Sequence, residues 1–448
     1  MKKNLFILFL WLITGFITSS ESIEIFAQKS LNAQQNIKER TLKNGLRIIL
    51  IEDHSAPVVA LDITYKVGSR DERPGRTGFA HLFEHMMFKG SENVGRGEHF
   101  YQVIASGGDM NGNTMPDHTL YYEVLPANQL DMALFLEADR MRSLAITKEN
   151  LDNQRSAVQD ERRQFTDNKP YGKSEELQQN MIYDDFAYHH VTIGSMEDLN
   201  AASVEDVAQF FKTYYAPNNA VLVLVGDFNE KEAIEKIEKN FAAIPRQPDP
   251  KPVVMNEPAQ IAERRKIVED PLVRLPQIDI AFKSVAGNAP DYYALELISE
   301  ILQGGGSARL YQKLVKEKEL VTNLSVYMDQ RRGPGAFYIK ASLRPGRKTE
   351  ELEAVIYEEL AKLASEPVGD EELRKVKNLV RRARLNQFQN VRNRALFTGI
   401  YAVDYNEPNL LNTWLDKINS VSKEDVRRVA QKYLGQNNRT VIITVPKA

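Results

Sequence analysis

Hydrophobic and polar positions along this chain follow two alternating periods, and each period marks a different kind of element. Residues 47–52 and 58–67 read as strands, the second strongly apolar. Apolar residues at helical spacing predict helices over residues 98–105, 129–144 and 148–164, with Gly107-Gly108 ending the first. Two short strands are expected between them, at residues 109–114 and 119–125. Further along, helices are predicted over 292–302, 350–363 and 371–386. Strands and helices mix without a strict βαβ rhythm, so the pattern points to an α+β protein.

The pattern also repeats. Ser203-Val204-Glu205-Asp206-Val207 reappears as Ser422-Lys423-Glu424-Asp425-Val426, 219 positions on (203 to 422). At the same offset Tyr214 meets Tyr433, and Asn218-Asn219 meets Asn437-Asn438. An apolar strand follows in each case, at residues 221–225 and 441–445. Each half therefore closes with a Ser-capped amphipathic helix, an Asn-Asn turn and a buried strand, as expected of a duplicated unit. Between the halves runs Pro245-Arg246-Gln247-Pro248-Asp249-Pro250-Lys251-Pro252. Its prolines remove donors and hold the backbone extended, so neither helix nor strand can cross it. The expected organisation is a domain over residues 33–245 and a homologous domain over 253–448. Each would be an α/β sandwich with a mostly antiparallel sheet flanked by helices.

One helical stretch carries chemistry. In His81-Leu82-Phe83-Glu84-His85 the histidines stand at i and i+4, so both imidazoles leave one helix face a turn apart. Two nitrogens so placed can share a metal ion, and Glu84 lies on the same side; the order is H-x-x-E-H. A histidine pair on an amphipathic helix is by itself more often packing than ligation, so its surroundings matter. Two histidines also do not complete a catalytic zinc site, which needs a third protein ligand and an open position. Glu149, Asp152, Asp160 and Glu161 all lie on the helix predicted at 148–164, and helical pitch alone does not choose among them. His189-His190, His54, His99 and His118 read as solvated loop or surface positions. No histidine follows His190, so the second domain cannot repeat the metal site.

Bulk properties narrow the setting. At 448 residues, two domains are the natural expectation. A net charge of −3 offers no basic field, which argues against nucleic acid as a partner. Lys2 and Lys3 precede an apolar run over residues 5–17, the pattern of a secretory signal over residues 1–27, cleaved near Ser20 or Ala27. An exported protein, periplasmic or secreted, is therefore expected. The chain has no cysteine, which excludes disulfides and thiolate metal sites.

Several of these segments together resemble the pitrilysin/insulinase family of zinc peptidases. They are Val67-Gly68-Ser69-Arg70-Asp71-Glu72 through His81 to Gly90, Gly107-Gly108-Asp109-Met110-Asn111-Gly112-Asn113-Thr114, and Thr119-Leu120-Tyr121-Tyr122. Asp167-Asn168-Lys169-Pro170-Tyr171-Gly172, Ile193-Gly194-Ser195-Met196-Glu197-Asp198-Leu199 and Tyr215-Ala216-Pro217-Asn218-Asn219 extend the likeness. The resemblance implies one Zn²⁺ per chain held by His81, His85 and Glu161, the last being 76 positions beyond His85 (85 to 161). It implies Glu84 as general base toward a water and then proton donor to the leaving amine. It also implies a peptide added as a strand to a sheet edge, with Asn111 binding the peptide backbone. Asn111-Gly112 can equally mark a tight turn.

The family pattern is incomplete in two places. Gln154 stands where an acidic residue is common. Leu314-Val315-Lys316-Glu317-Lys318-Glu319-Leu320-Val321-Thr322-Asn323 lacks the arginine and tyrosine that bind substrate in the family. Losing one such oxyanion donor typically costs ~3–4 kcal/mol of transition-state stabilisation. A second two-domain subunit supplying both residues is therefore expected, which favours a heterodimer over a homodimer. The implied function is a zinc metalloendopeptidase cleaving peptides or unfolded small proteins inside an enclosed chamber. The competing readings are a non-catalytic peptide-binding or structural subunit of the same fold, and a metal hydrolase acting on a non-peptide substrate.

Overall fold

A computed structural model describes residues 34–447; the expected signal segment lies outside them. Six strands form the first sheet: β1 (Lys38–Thr41), β2 (Arg47–Glu52), β3 (Val58–Tyr65), β4 (Asp109–Thr114), β5 (Thr119–Pro126) and β6 (Ala220–Gly226), in the order β1-β2-β6-β3-β5-β4. Five form the second: β7 (Arg264–Asp270), β8 (Gln277–Lys283), β9 (Val321–Met328), β10 (Ala336–Leu343) and β11 (Arg439–Pro446), in the order β7-β11-β8-β10-β9. In each sheet one pair is parallel, β2 with β6 and β7 with β11, and the other neighbours are antiparallel. The last strand of each half thus enters the same slot, parallel to one neighbour and antiparallel to the other. This is the expected α+β fold of two like units. Residues 245–261 between the sheets form neither helix nor strand.

The helices that bear on the site and its support are α1 (Phe79–Met86), α2 (Lys148–Arg162), α3 (Gly172–Ile182), α4 (Val204–Tyr214), α5 (Pro290–Gln303), α6 (Asp370–Phe388), α7 (Val391–Tyr405) and α8 (Lys423–Tyr433). The repeat read from the sequence is visible in atomic detail. Ser203 and Asp206 close a capping box on α4, and Ser422 and Asp425 close the same box on α8. After each helix an asparagine amide ties the turn back: Asn219 Nδ2 donates to Tyr214 O at 2.8 Å, and Asn438 Nδ2 to Tyr433 O at 2.7 Å.

All seven residues of β6 are buried, because a central strand covered on both faces must be apolar throughout. What covers its second face comes from the other half of the chain. Ala395, Ala402 and Val403 of α7 pack on Ile49, Ile51, Ala60, Val221, Val223 and Val225 of the first sheet. The exchange is reciprocal. Ile182 at the end of α3, with Tyr183 and Tyr188, packs on Ala281, Ala336 and Tyr338 of the second sheet. Everything from Ile37 onward therefore forms one compact unit rather than two separable ones.

Candidate metal centre

α1 buries Leu82, Phe83 and Met86 in the first core and leaves its opposite face to the two histidines. Phe83 lies against Phe210, Phe211 and Tyr215, with centroids 5.6, 5.8 and 4.1 Å away, which fixes the helix's rotation about its axis. The imidazoles of His81 and His85 stand 4.8 Å apart with planes at 83°. α2 packs across α1 and ends beside them. Immediately past Glu161 the chain passes into a π-helical turn, Arg163–Asp167, a feature often found at functional sites.

Three of the four acidic candidates on α2 pair with arginines. Glu149 pairs with Arg96 at 3.2 Å, Asp152 with Arg155 at 2.5 Å, and Asp160 with Arg163 at 2.5 Å. Glu161 instead turns toward the histidines, its Oε2 3.6 Å from His81 Nε2 and 3.4 Å from His85 Nε2. The ligand atoms of the three residues all lie within 4.8 Å of one another. A tetrahedral zinc with bonds near 2.0–2.1 Å has edges of roughly 3.3–3.4 Å, so the two nitrogen–oxygen gaps match a shared cation. Protonation states fit as well. Burial, with His85 beside it, pushes the His81 imidazole down to about 4, so it is neutral with a free lone pair near pH 7. The hydrogen bond from His85 holds the Glu161 carboxyl below its ordinary value, so it is ionised. Two imidazoles and one carboxylate are a donor set that zinc accepts.

Glu84 is buried on the same side of α1. Burial raises its carboxyl, while Thr114 Oγ1 donates a 2.6 Å hydrogen bond to its Oε2 and works in the other direction. Thr114 was not singled out in the sequence. Its signal was strand alternation: Met110, Gly112 and Thr114 share the face of β4 turned to the helices. A Cβ at Gly112 would stand 3.1 Å from Glu84 Cγ and Oε1, so the small residue there lets β4 approach the carboxylate. Asn111 lies on β4, not in a tight turn, and is exposed, with its Oδ1 accepting from Gly112 N–H. By alternation it belongs to the strand face away from Glu84. β4 is an edge strand, paired with β5 alone among the described strands.

Other histidines depart from the expected solvated setting. His99 is buried, its Nε2 2.6 Å from Glu123 Oε1, and His118 is buried, its Nδ1 2.9 Å from Asp404 Oδ2. His190 is largely covered and bonded to Glu72. Only His54 keeps the surface position expected of it, beside Asp227. The His99–Glu123–Glu137 group also brings three ligand-type atoms together. There, however, Arg140 already pairs with Glu137 and His99 with Glu123.

Comparison with known proteins agrees with this geometry. Residues 47–193 match the family described as insulinase, peptidase family M16, and residues 201–380 match the peptidase M16 inactive domain. The chain belongs to peptidase family M16, the family the sequence motifs resembled. It is 31% identical to the zinc protease PqqE of Helicobacter pylori over 431 residues, 93% of this chain and 95% of that protein. A solved protease from Helicobacter pylori superposes with a TM-score of 0.89 at 30% identity, covering 92% of this chain and 100% of that one. The periplasmic protease PqqL from Escherichia coli shares the fold at TM-score 0.76 and 18% identity. The match takes in 93% of this chain but 48% of PqqL.

Proposed function

We propose that this chain is an exported zinc metalloendopeptidase, with His81, His85 and Glu161 as metal ligands and Glu84 as general base. The observation that carries the reading is the convergence of both imidazole Nε2 atoms on Glu161 Oε2, with a buried carboxylate beside them. Zinc held there supplies positive charge that polarises a scissile carbonyl and makes water more acidic. Glu84 takes a proton from the attacking water and delivers it to the leaving amine, steadied in the ionised form by Thr114. The peptide adds as a strand along the free edge of β4, and Asn111 binds its backbone. Substrates are peptides or unfolded small proteins that enter a chamber closed by a second two-domain subunit, which brings the arginine and tyrosine this chain lacks. The half-length match to PqqL is consistent with two such chains doing the work of one.

The expected outcome for Glu84→Gln is unchanged zinc content with peptide cleavage lowered by about 10²–10⁴-fold. Zinc content by elemental analysis and cleavage of a quenched peptide library check it, and turnover by a zinc-loaded variant would refute the role. The same assay with and without a two-domain partner tests the chamber; full activity of the chain alone would overturn that part. The family model over residues 201–380 describes an inactive domain, which favours a second reading for the whole chain as a peptide-binding subunit. That reading predicts no cleavage with any partner. Export is checked by sequencing the mature amino terminus, expected after Ser20 or Ala27.

A further inference from the structure

The helix that carries both histidines starts without a side-chain cap. Its N-cap is Gly78, at φ 84°, which has no side chain to offer. The first-turn donors go instead to Glu72: Gly78 N–H donates to Oε2 at 3.0 Å and Ala80 N–H to Oε1 at 2.8 Å. A carboxylate set against a helix N-terminus meets both free N–H groups and the positive end of the dipole. The Glu72 side chain is 0% exposed, so it also needs a compensating charge.

His190 supplies it from 118 residues away. Its Nε2 lies 2.9 Å from Glu72 Oε2 and 3.0 Å from Ser69 O, and its Nδ1 lies 3.0 Å from Phe186 O. Nδ1 faces a carbonyl, and Nε2 faces a carbonyl and the Glu72 carboxyl; an imidazolium, donating from both nitrogens, satisfies these contacts. The ring also stacks on Phe186, with centroids 4.6 Å apart.

The chain following His190 then reaches both ligand-bearing helices. Ser195 N–H donates to Thr77 Oγ1 at 3.1 Å, just ahead of α1, and a Cβ on Gly78 would come within 2.7 Å of Ile193 O. Arg162, next to Glu161, donates through Nη1 to Gly194 O. Residues 193–195 thus touch both the start of α1 and the end of α2, while His190 at the other end of the segment holds Glu72.

We propose that Glu72 and His190 are positioning residues for the metal centre. Through this ion pair and the 190–195 segment, they set where α1 presents His81 and His85 relative to Glu161. An eight-residue helix has little intrinsic stability, so its placement must come from such contacts. The inference rests on the reading of His81, His85 and Glu161 as metal ligands, and its test separates the two. In metal-free full-length protein, hydrogen exchange of residues 79–87 is measured for the natural chain, Glu72→Gln and His190→Gln. Zinc affinity is measured on the same proteins by chelator competition, and kcat and KM on a peptide. Both variants are expected to speed exchange in α1 relative to the remaining helices and to weaken zinc binding about tenfold or more. Peptide KM should stay within about twofold, since neither residue faces the β4 edge. If Glu72→Gln does not fold, His190→Gln, which keeps a donor toward Glu72 but not the charge, carries the test. Unchanged α1 exchange and unchanged zinc affinity in a folded variant would overturn the proposal. Failure of the natural chain to bind zinc would sink the metal assignment and leave the exchange comparison to judge the positioning role.

Discussion

Thr114 decides how the Glu84 carboxylate is held. Its hydroxyl is the donor that meets Glu84 Oε2 at 2.6 Å, and hydrogen bonds to charged groups contribute about 1.5–3 kcal/mol each. Thr114→Val keeps the shape and removes the donor. Peptide cleavage by this variant is expected to fall at least about tenfold with zinc content unchanged, as steady-state kinetics and elemental analysis would show. His81, His85 and Glu84 were legible in the sequence because a helix fixes their mutual placement within one turn. That Glu161 faces the imidazoles was expected only from the family resemblance, since four acidic residues share α2 and helical pitch alone does not choose among them. Thr114 and His190 were not legible. Each meets its partner only after distant segments pack, 30 residues apart for Thr114 and Glu84 and 118 for His190 and Glu72.

Elements were easier to read than their contacts. The predicted strands and helices of the first half lie close to those observed, because each carries its period within its own residues. The approach of α7 to the first sheet could not be read that way. A Cβ on Gly399 would clash with Asp62 Oδ2 and Thr64 Oγ1, so glycine is what lets α7 lie against β3. Gly399→Val is expected to cost about 1–3 kcal/mol, measured as a lower urea midpoint at unchanged slope. Between α5 and α6, burial raises the Glu296 carboxyl from 4.5 to about 7, and Arg384 offsets only part of it. The unfolded chain ionises this group first, so its contribution is fully present below about pH 4.5 and is lost as pH rises to about 7. Glu296→Gln should therefore unfold at higher urea than the natural chain at pH 8, by roughly 3 kcal/mol, and converge with it near pH 4.

At the scale of the molecule, the two halves exchange helices. α7 seals the face of the first sheet that its own half leaves open, and α3 does the same for the second. A chain of residues 37–246 alone exposes Ile49, Ile51, Val221, Val223 and Val225, an apolar face too large to leave in water. That fragment is expected to aggregate or to lack a cooperative unfolding transition. Co-expression with residues 247–448 should restore a soluble complex, as gel filtration and thermal melts would show. The proline-rich segment marks where the repeat divides the sequence, but not a boundary across which contacts cease.

What the sequence determined alone was everything written at short range: the periods of strands and helices, the Ser-capped repeat, and the paired imidazoles with Glu84 between them. The tertiary structure decided which acid on α2 faces the imidazoles, which hydroxyl bonds to Glu84, and which half covers each sheet. Those choices depend on how segments tens to hundreds of residues apart come into register, and no local pattern of side chains encodes that distance.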